Sequence, residues 1–157
     1  MNKIQFFTLA TFAIVNQAFA QLPNPVKWTF TVEQLSGDEA TLMFNASIDP
    51  GWHIYSQFTP DGGPLPTVFT FEENGCYGLV GKPTEPAAHE EYDSTFEVKV
   101  LTLDGKPSFT QKIKLNEGSC TIKGRIDGQV CKEVCIMFGS DFTFTIGEPE
   151  EKDATKN

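Results

Sequence analysis

Alternation of apolar and polar side chains dominates this sequence and restricts its fold more than any other feature. Trp28, Phe30 and Val32 alternate with Lys27, Thr29 and Thr31. Leu42, Phe44, Ala46 and Ile48 alternate with Thr41, Asn45 and Ser47. Val68, Phe69 and Phe71 mark a short strand, and Phe96, Val98 and Val100 alternate with Glu97 and Lys99. Phe109, Gln111, Ile113 and Leu115 follow, then Ile122, Gly124 and Ile126, and finally Phe142, Phe144 and Ile146. A period of two puts every second side chain on one face of a β-strand. Turn-forming clusters separate these segments, among them Ser36-Gly37-Asp38, Asp49-Pro50-Gly51, Asp61-Gly62-Gly63-Pro64, Asn74-Gly75, Asp104-Gly105 and Asp127-Gly128. No segment shows a sustained helical period with caps. Seven or more short strands at this spacing predict one all-β domain, a β-sandwich. Gly51 to Pro66 and Gly81 to Tyr92 read as its two long loops, where function tends to be carried.

The chain ends are read separately. Lys3, the apolar run from Ile4 to Val15 and the small-x-small site Ala18-Phe19-Ala20 have the layout of a secretory signal peptide cleaved after Ala20. No later segment is apolar for long enough to span a bilayer. The expectation is an exported chain with its folded domain over residues 21–147 and a disordered acidic tail over 148–157. The chain has 21 acidic and 12 basic residues, a formal net charge of −9. That balance disfavours nucleic acid and anionic membrane surfaces as partners.

The four cysteines are Cys76, Cys120, Cys131 and Cys135. In an exported chain disulfides are the first reading, and three pairings are possible. Cys131 and Cys135 have three residues between them. Strand-like residues precede them and another strand is expected near Asp141, so the pair sits across a tight turn. In the chain-entropy account a bridge closing five residues stabilises by about 2 kcal/mol, against about 4 kcal/mol for one closing Cys76 to Cys120. A poor staple in a short loop favours redox exchange, with a plain structural bridge as the competing reading. Lys132 would favour a nearby thiolate and Glu133 would oppose it. Cys76 and Cys120 form a structural bridge or remain buried thiols, and a Cys120–Cys131 pairing ranks below the local one. His53 and His89 are not at metal-ligand spacing to the cysteines, and no cofactor is indicated. Trp28, Trp52 and Tyr55 read as packing residues, and His53 as a loop or strand residue with a satisfied hydrogen bond.

Two stretches carry a family resemblance. Gly51-Trp52-His53-Ile54-Tyr55-Ser56-Gln57, with Gly62-Gly63-Pro64-Leu65-Pro66-Thr67, resembles the N-terminal periplasmic domain of the thiol:disulfide interchange protein DsbD. Ile122-Lys123-Gly124-Arg125-Ile126-Asp127-Gly128-Gln129-Val130-Cys131, followed by Cys135 and a Phe-x-Phe strand, looks like the active-site hairpin of that domain. The resemblance runs from about Val26 to Ile146. It implies a periplasmic, immunoglobulin-like β-sandwich with an inserted active-site hairpin, whose catalytic pair is Cys131 and Cys135. That pair would cycle between dithiol and disulfide, as a component of a protein-disulfide reductase. It also implies a cap loop shielding the cysteines, which would fall around His89-Glu90-Glu91-Tyr92-Asp93, with Glu90 and Glu91 in it and Tyr92 as an aromatic lid. Three departures stand out. Family members usually have four or five residues between the cysteines, prolines commonly follow the second cysteine where Ile136-Met137-Phe138 stand here, and the expectation is that no membrane or thioredoxin-like domain follows the sandwich. Electrons are therefore expected from a separate thioredoxin-like or membrane thiol-reductase protein and pass to periplasmic thiol-disulfide proteins. The competing function is a non-catalytic exported binding module with structural disulfides.

Overall fold

A computed structural model describes residues 23–147 apart from Thr95. The signal-peptide and acidic-tail readings, residues 1–20 and 148–157, lie outside the described residues.

Ten strands follow in order: β1 (Val26–Ser36), β2 (Glu39–Ile48), β3 (His53–Tyr55), β4 (Val68–Phe71), β5 (Tyr77–Thr84), β6 (His89–Asp93), β7 (Val98–Leu103), β8 (Ser108–Leu115), β9 (Cys120–Cys131) and β10 (Cys135–Ile146). One sheet has the order β1-β2-β8-β5. The other has the order β10-β9-β3-β7-β6, with β4 also paired to β9. All pairings are antiparallel. Together the sheets form an all-β, immunoglobulin-like sandwich.

The predicted alternation produces this core. Ala40, Leu42, Phe44, Ala46 and Ile48 of β2 are buried, as are Phe109, Ile113 and Leu115 of β8 and Phe142, Phe144 and Ile146 of β10. Phe44 is the hub. Its ring lies 5.0 Å from those of Phe69 and Phe142, 5.2 Å from Phe144 and 5.9 Å from Phe30, centroid to centroid and edge-on. Edge-to-face aromatic pairs add about 0.5–1.5 kcal/mol each beyond their buried area. Gly124 of β9 makes room for this cluster. A Cβ there would stand 2.2 Å from the Thr70 carbonyl oxygen and 2.3 Å from the Phe142 ring.

Three sequence expectations change in detail. The strand expected near Asp141 begins at Cys135, so β9 and β10 form a long hairpin with only Lys132, Glu133 and Val134 between them. Neither long stretch is one loop: Gly51 to Pro66 contains β3, and in Gly81 to Tyr92 β5 runs to Thr84 and β6 starts at His89. β6 is polar and exposed through Tyr92, since it is a sheet-edge strand paired to β7. An edge strand covered by no second layer needs no apolar alternation.

Candidate functional site

Strand parity places the cysteines. Along β9, Cys120, Ile122, Ile126 and Val130 face the sandwich core. Cys131 follows Val130 directly, so its side chain emerges on the other face of the sheet. It is nevertheless only 3% exposed. A second, small cluster on that outer face buries it: Tyr55 of β3, Val100 of β7 and Cys131, with Val98 packed alongside. The same parity step occurs on β3, where Ile54 joins the main core and Tyr55 joins the outer cluster.

Register then assembles the site in a row across three strands. His53 is paired with Cys131, and Cys131 with Cys135. Cys131 and Cys135 form a disulfide with Cα atoms 4.1 Å apart. The Lys132 N–H donates to the Val134 carbonyl at 3.1 Å and closes the turn between them. Cys135 is exposed whereas Cys131 is buried. A second disulfide joins Cys76, just before β5, to Cys120 at the start of β9, and so ties one sheet to the other. Among the described residues no free cysteine is left.

The pair lies in an open cleft of about 530 Å³, lined by His53, Tyr55, Glu91, Tyr92, Asp93, Ser94, Phe96, Cys131, Lys132, Glu133 and Cys135. Its far wall is β6 and the turn into β7. The segment matching the expected cap therefore stands beside the cysteines, as an edge strand rather than a loop. Glu91 and Tyr92 line the cleft, and Tyr92 is 65% exposed. Glu90 instead meets Lys99 across the β6–β7 pair at 2.6 Å.

Tyr55 is fixed from both ends. Its carbonyl accepts from the Thr67 hydroxyl at 2.6 Å and the Thr67 N–H at 3.1 Å. Its hydroxyl meets His53 Nε2 at 3.1 Å, with the two rings edge-on at 5.2 Å. Burial, then the nearby carboxylates of Asp93 and Glu91, push the Tyr55 hydroxyl pKa up to about 12. The phenol is therefore neutral and able to donate at physiological pH. Lys132 leans toward the start of β3. Gly51, at a φ of +81°, would bring a Cβ to 3.1 Å from the Lys132 Cε. Among the described residues no group of three or more His, Cys, Asp or Glu side chains is arranged to hold a metal ion.

Sequence reasoning brought out the cysteines and the segment beside them. It assigned Tyr55 and His53 to packing and hydrogen bonding, and the structure places both in the cleft. Ile54, Tyr55 and Ser56 are buried in succession, as Val130 and Cys131 are on β9, so alternation gave no sign of them.

Fold and site define a class: an immunoglobulin-like sandwich that presents a hairpin disulfide in a surface cleft. Residues 20–146 match the family described as thiol:disulfide interchange protein DsbD, N-terminal, and the chain belongs to that family. Among solved structures it is similar to the N-terminal periplasmic domain of ScsB from Proteus mirabilis, at 15% identity and a TM-score of 0.57. That likeness covers 79% of this chain and 47% of the ScsB chain, so this protein spans about half of its length. The N-terminal domain of Neisseria meningitidis DsbD in the reduced form also matches, at 18% identity and a TM-score of 0.47, covering 76% of this chain and 84% of that one. No curated protein matches the sequence.

Proposed function

We propose that this protein is a periplasmic thiol-disulfide exchange module that passes electrons from a thioredoxin-like or membrane thiol reductase to partner proteins through Cys131 and Cys135. One observation carries the reading: the hairpin disulfide has one exposed and one buried cysteine and lies in an open cleft. Exchange requires in-line access to one sulfur and a leaving group that the protein retains. Cys135 supplies the first and Cys131 the second.

In the oxidised protein a reductase thiolate attacks Cys135 Sγ. The Cys131–Cys135 bond breaks and its electron pair leaves on Cys131. The resulting mixed disulfide is resolved by the second thiol of the reductase, which becomes oxidised and leaves a Cys131/Cys135 dithiol. In the second half-cycle the Cys135 thiolate attacks a partner disulfide, and Cys131 resolves that adduct to regenerate the bridge. Two electrons and two protons move in each direction.

The test is trapping. Cys131→Ser removes the resolving thiol, so mixed disulfides with periplasmic proteins should accumulate through Cys135, while Cys135→Ser should trap little. Absence of adducts from both variants would refute the proposal. So would a reduction potential for the Cys131–Cys135 bridge well below about −300 mV, the range of structural bridges.

A further inference from the structure

The exchange step leaves a negative charge on a buried sulfur. When Cys135 is attacked, the thiolate forms on Cys131, which is only 3% exposed. Burial disfavours an anion. The carboxylates of the cleft also oppose it, because Glu91, Asp93 and Glu133 line it. The cleft therefore needs a cation at Cys131. Lys132 is also on the lining, but its side chain runs beside Gly51, just before β3. Another lining group that can become positive is His53.

Register places His53 well. It is directly paired with Cys131 across β3 and β9, on the same face of the sheet. Directly paired residues hold their Cβ atoms about 5 Å apart. The imidazole is oriented by Tyr55, whose hydroxyl lies 3.1 Å from Nε2. That hydroxyl stays protonated, so it serves the ring in both states. It donates to Nε2 of the neutral imidazole and accepts from Nε2–H of the imidazolium.

We propose that His53 is a positioning residue for thiol-disulfide exchange, whose imidazolium stabilises the Cys131 thiolate and ties the exchange to pH. The inference rests on the function proposed above and adds its regulation. In the balanced step the partner thiolate forms the new bond to Cys135 Sγ. The old bond breaks and its electron pair stays on Cys131 Sγ. The proton on His53 remains there as half of an imidazolium–thiolate pair, and is taken up from solvent where the ring was neutral. The charged and titratable groups that share the cleft with the ring are Tyr55 on its own strand, Glu91, Tyr92 and Asp93 of β6, and Lys132 and Glu133 of the turn. The carboxylates are opposite in charge to an imidazolium, and Lys132 carries the same charge as one.

Two measurements on the mature protein test this. In the Cys135→Ser background, Cys131 is titrated by thiolate ultraviolet absorbance. His53→Gln should lower the thiolate fraction near neutral pH by about tenfold, the effect of removing one adjacent cation. His53→Arg should restore the thiolate and flatten its pH dependence. The second measurement needs no substitution at His53. Coupled groups shift each other reciprocally, so the His53 ring signals in NMR should titrate at higher pH in the reduced protein than in the oxidised one. Superimposable thiolate curves with and without the His53→Gln substitution, or identical ring titrations in the two redox states, would overturn the inference. Neither readout involves a partner, so failed trapping would remove the exchange function and leave this coupling standing.

Discussion

The two disulfides close loops of very different size, and that predicts how each affects stability. Cys76 and Cys120 are 44 positions apart, and Cys131 and Cys135 are 4 apart. The loop-entropy relation assigns about 4 kcal/mol to the first and about 2 kcal/mol to the second at room temperature. The paired substitutions Cys76→Ala with Cys120→Ala, and Cys131→Ala with Cys135→Ala, remove one bridge each. Alanine avoids burying a hydroxyl at Cys120, which is 4% exposed. Reversible urea unfolding should show the 76–120 variant losing about twice as much stability as the 131–135 variant. A typical domain has only about 5–15 kcal/mol in total, so the first loss is a large share of it and the second is tolerable. Graded reduction offers an independent check. Two thiols per chain should become titratable while the strand signal in circular dichroism persists, and the other two only as the sandwich unfolds. If loss of the hairpin bridge costs as much as loss of the long-range one, or if all four thiols appear together, the separation of structural and exchangeable bridges is wrong.

Other outcomes follow from the core and from Tyr55. The Tyr55 hydroxyl pKa is raised from 10.0 to about 12 in the folded protein. The folded state therefore holds more protons than the unfolded state in that window, and stability is full below pH 10 and falls as pH rises toward 12. Tyr55→Phe should remove much of that fall in urea midpoints, leaving the part due to Tyr77, which burial and then Glu72 and Glu73 shift in the same direction. Gly124→Ala should cost about 1–3 kcal/mol by overpacking against Thr70 and Phe142, read as a lower urea midpoint. Phe44→Ala should cost about 3–5 kcal/mol by emptying the centre of the aromatic cluster, and Phe44→Leu should cost less.

The long strands were legible because one side of each is core. β2 and β8 alternate over most of their length, and periodicity reads that directly; β10 was read only over its last half, from near Asp141. β3 was missed because three residues cannot display a period, and β6 because both of its sides meet solvent for most of its length. The hairpin cysteines stood out by type and spacing. His53 and Tyr55 did not, because they serve the outer face of the sheet. On β3 and again on β9, adjacent buried residues point to opposite faces, Ile54 with Tyr55 and Val130 with Cys131. A run of consecutive buried residues looks the same in sequence whether it fills one core or two. The β3–β9 register, which puts His53 against Cys131, joins residues from opposite halves of the chain and leaves no local trace.

β9 begins at Cys120 and ends at Cys131. An extended strand of twelve residues separates its ends by about 35 Å. Under the exchange proposed for Cys131 and Cys135, the protein would risk trading disulfides with itself, since a newly released Cys131 thiolate is a nucleophile beside whatever bridge it can reach. Here the strand acts as a spacer between two incompatible chemistries. As long as it stays extended, the Cys131 thiolate cannot reach the 76–120 bridge, and scrambling requires the sandwich to open first. Fidelity of pairing would thus be a property of strand length, with no residue dedicated to it.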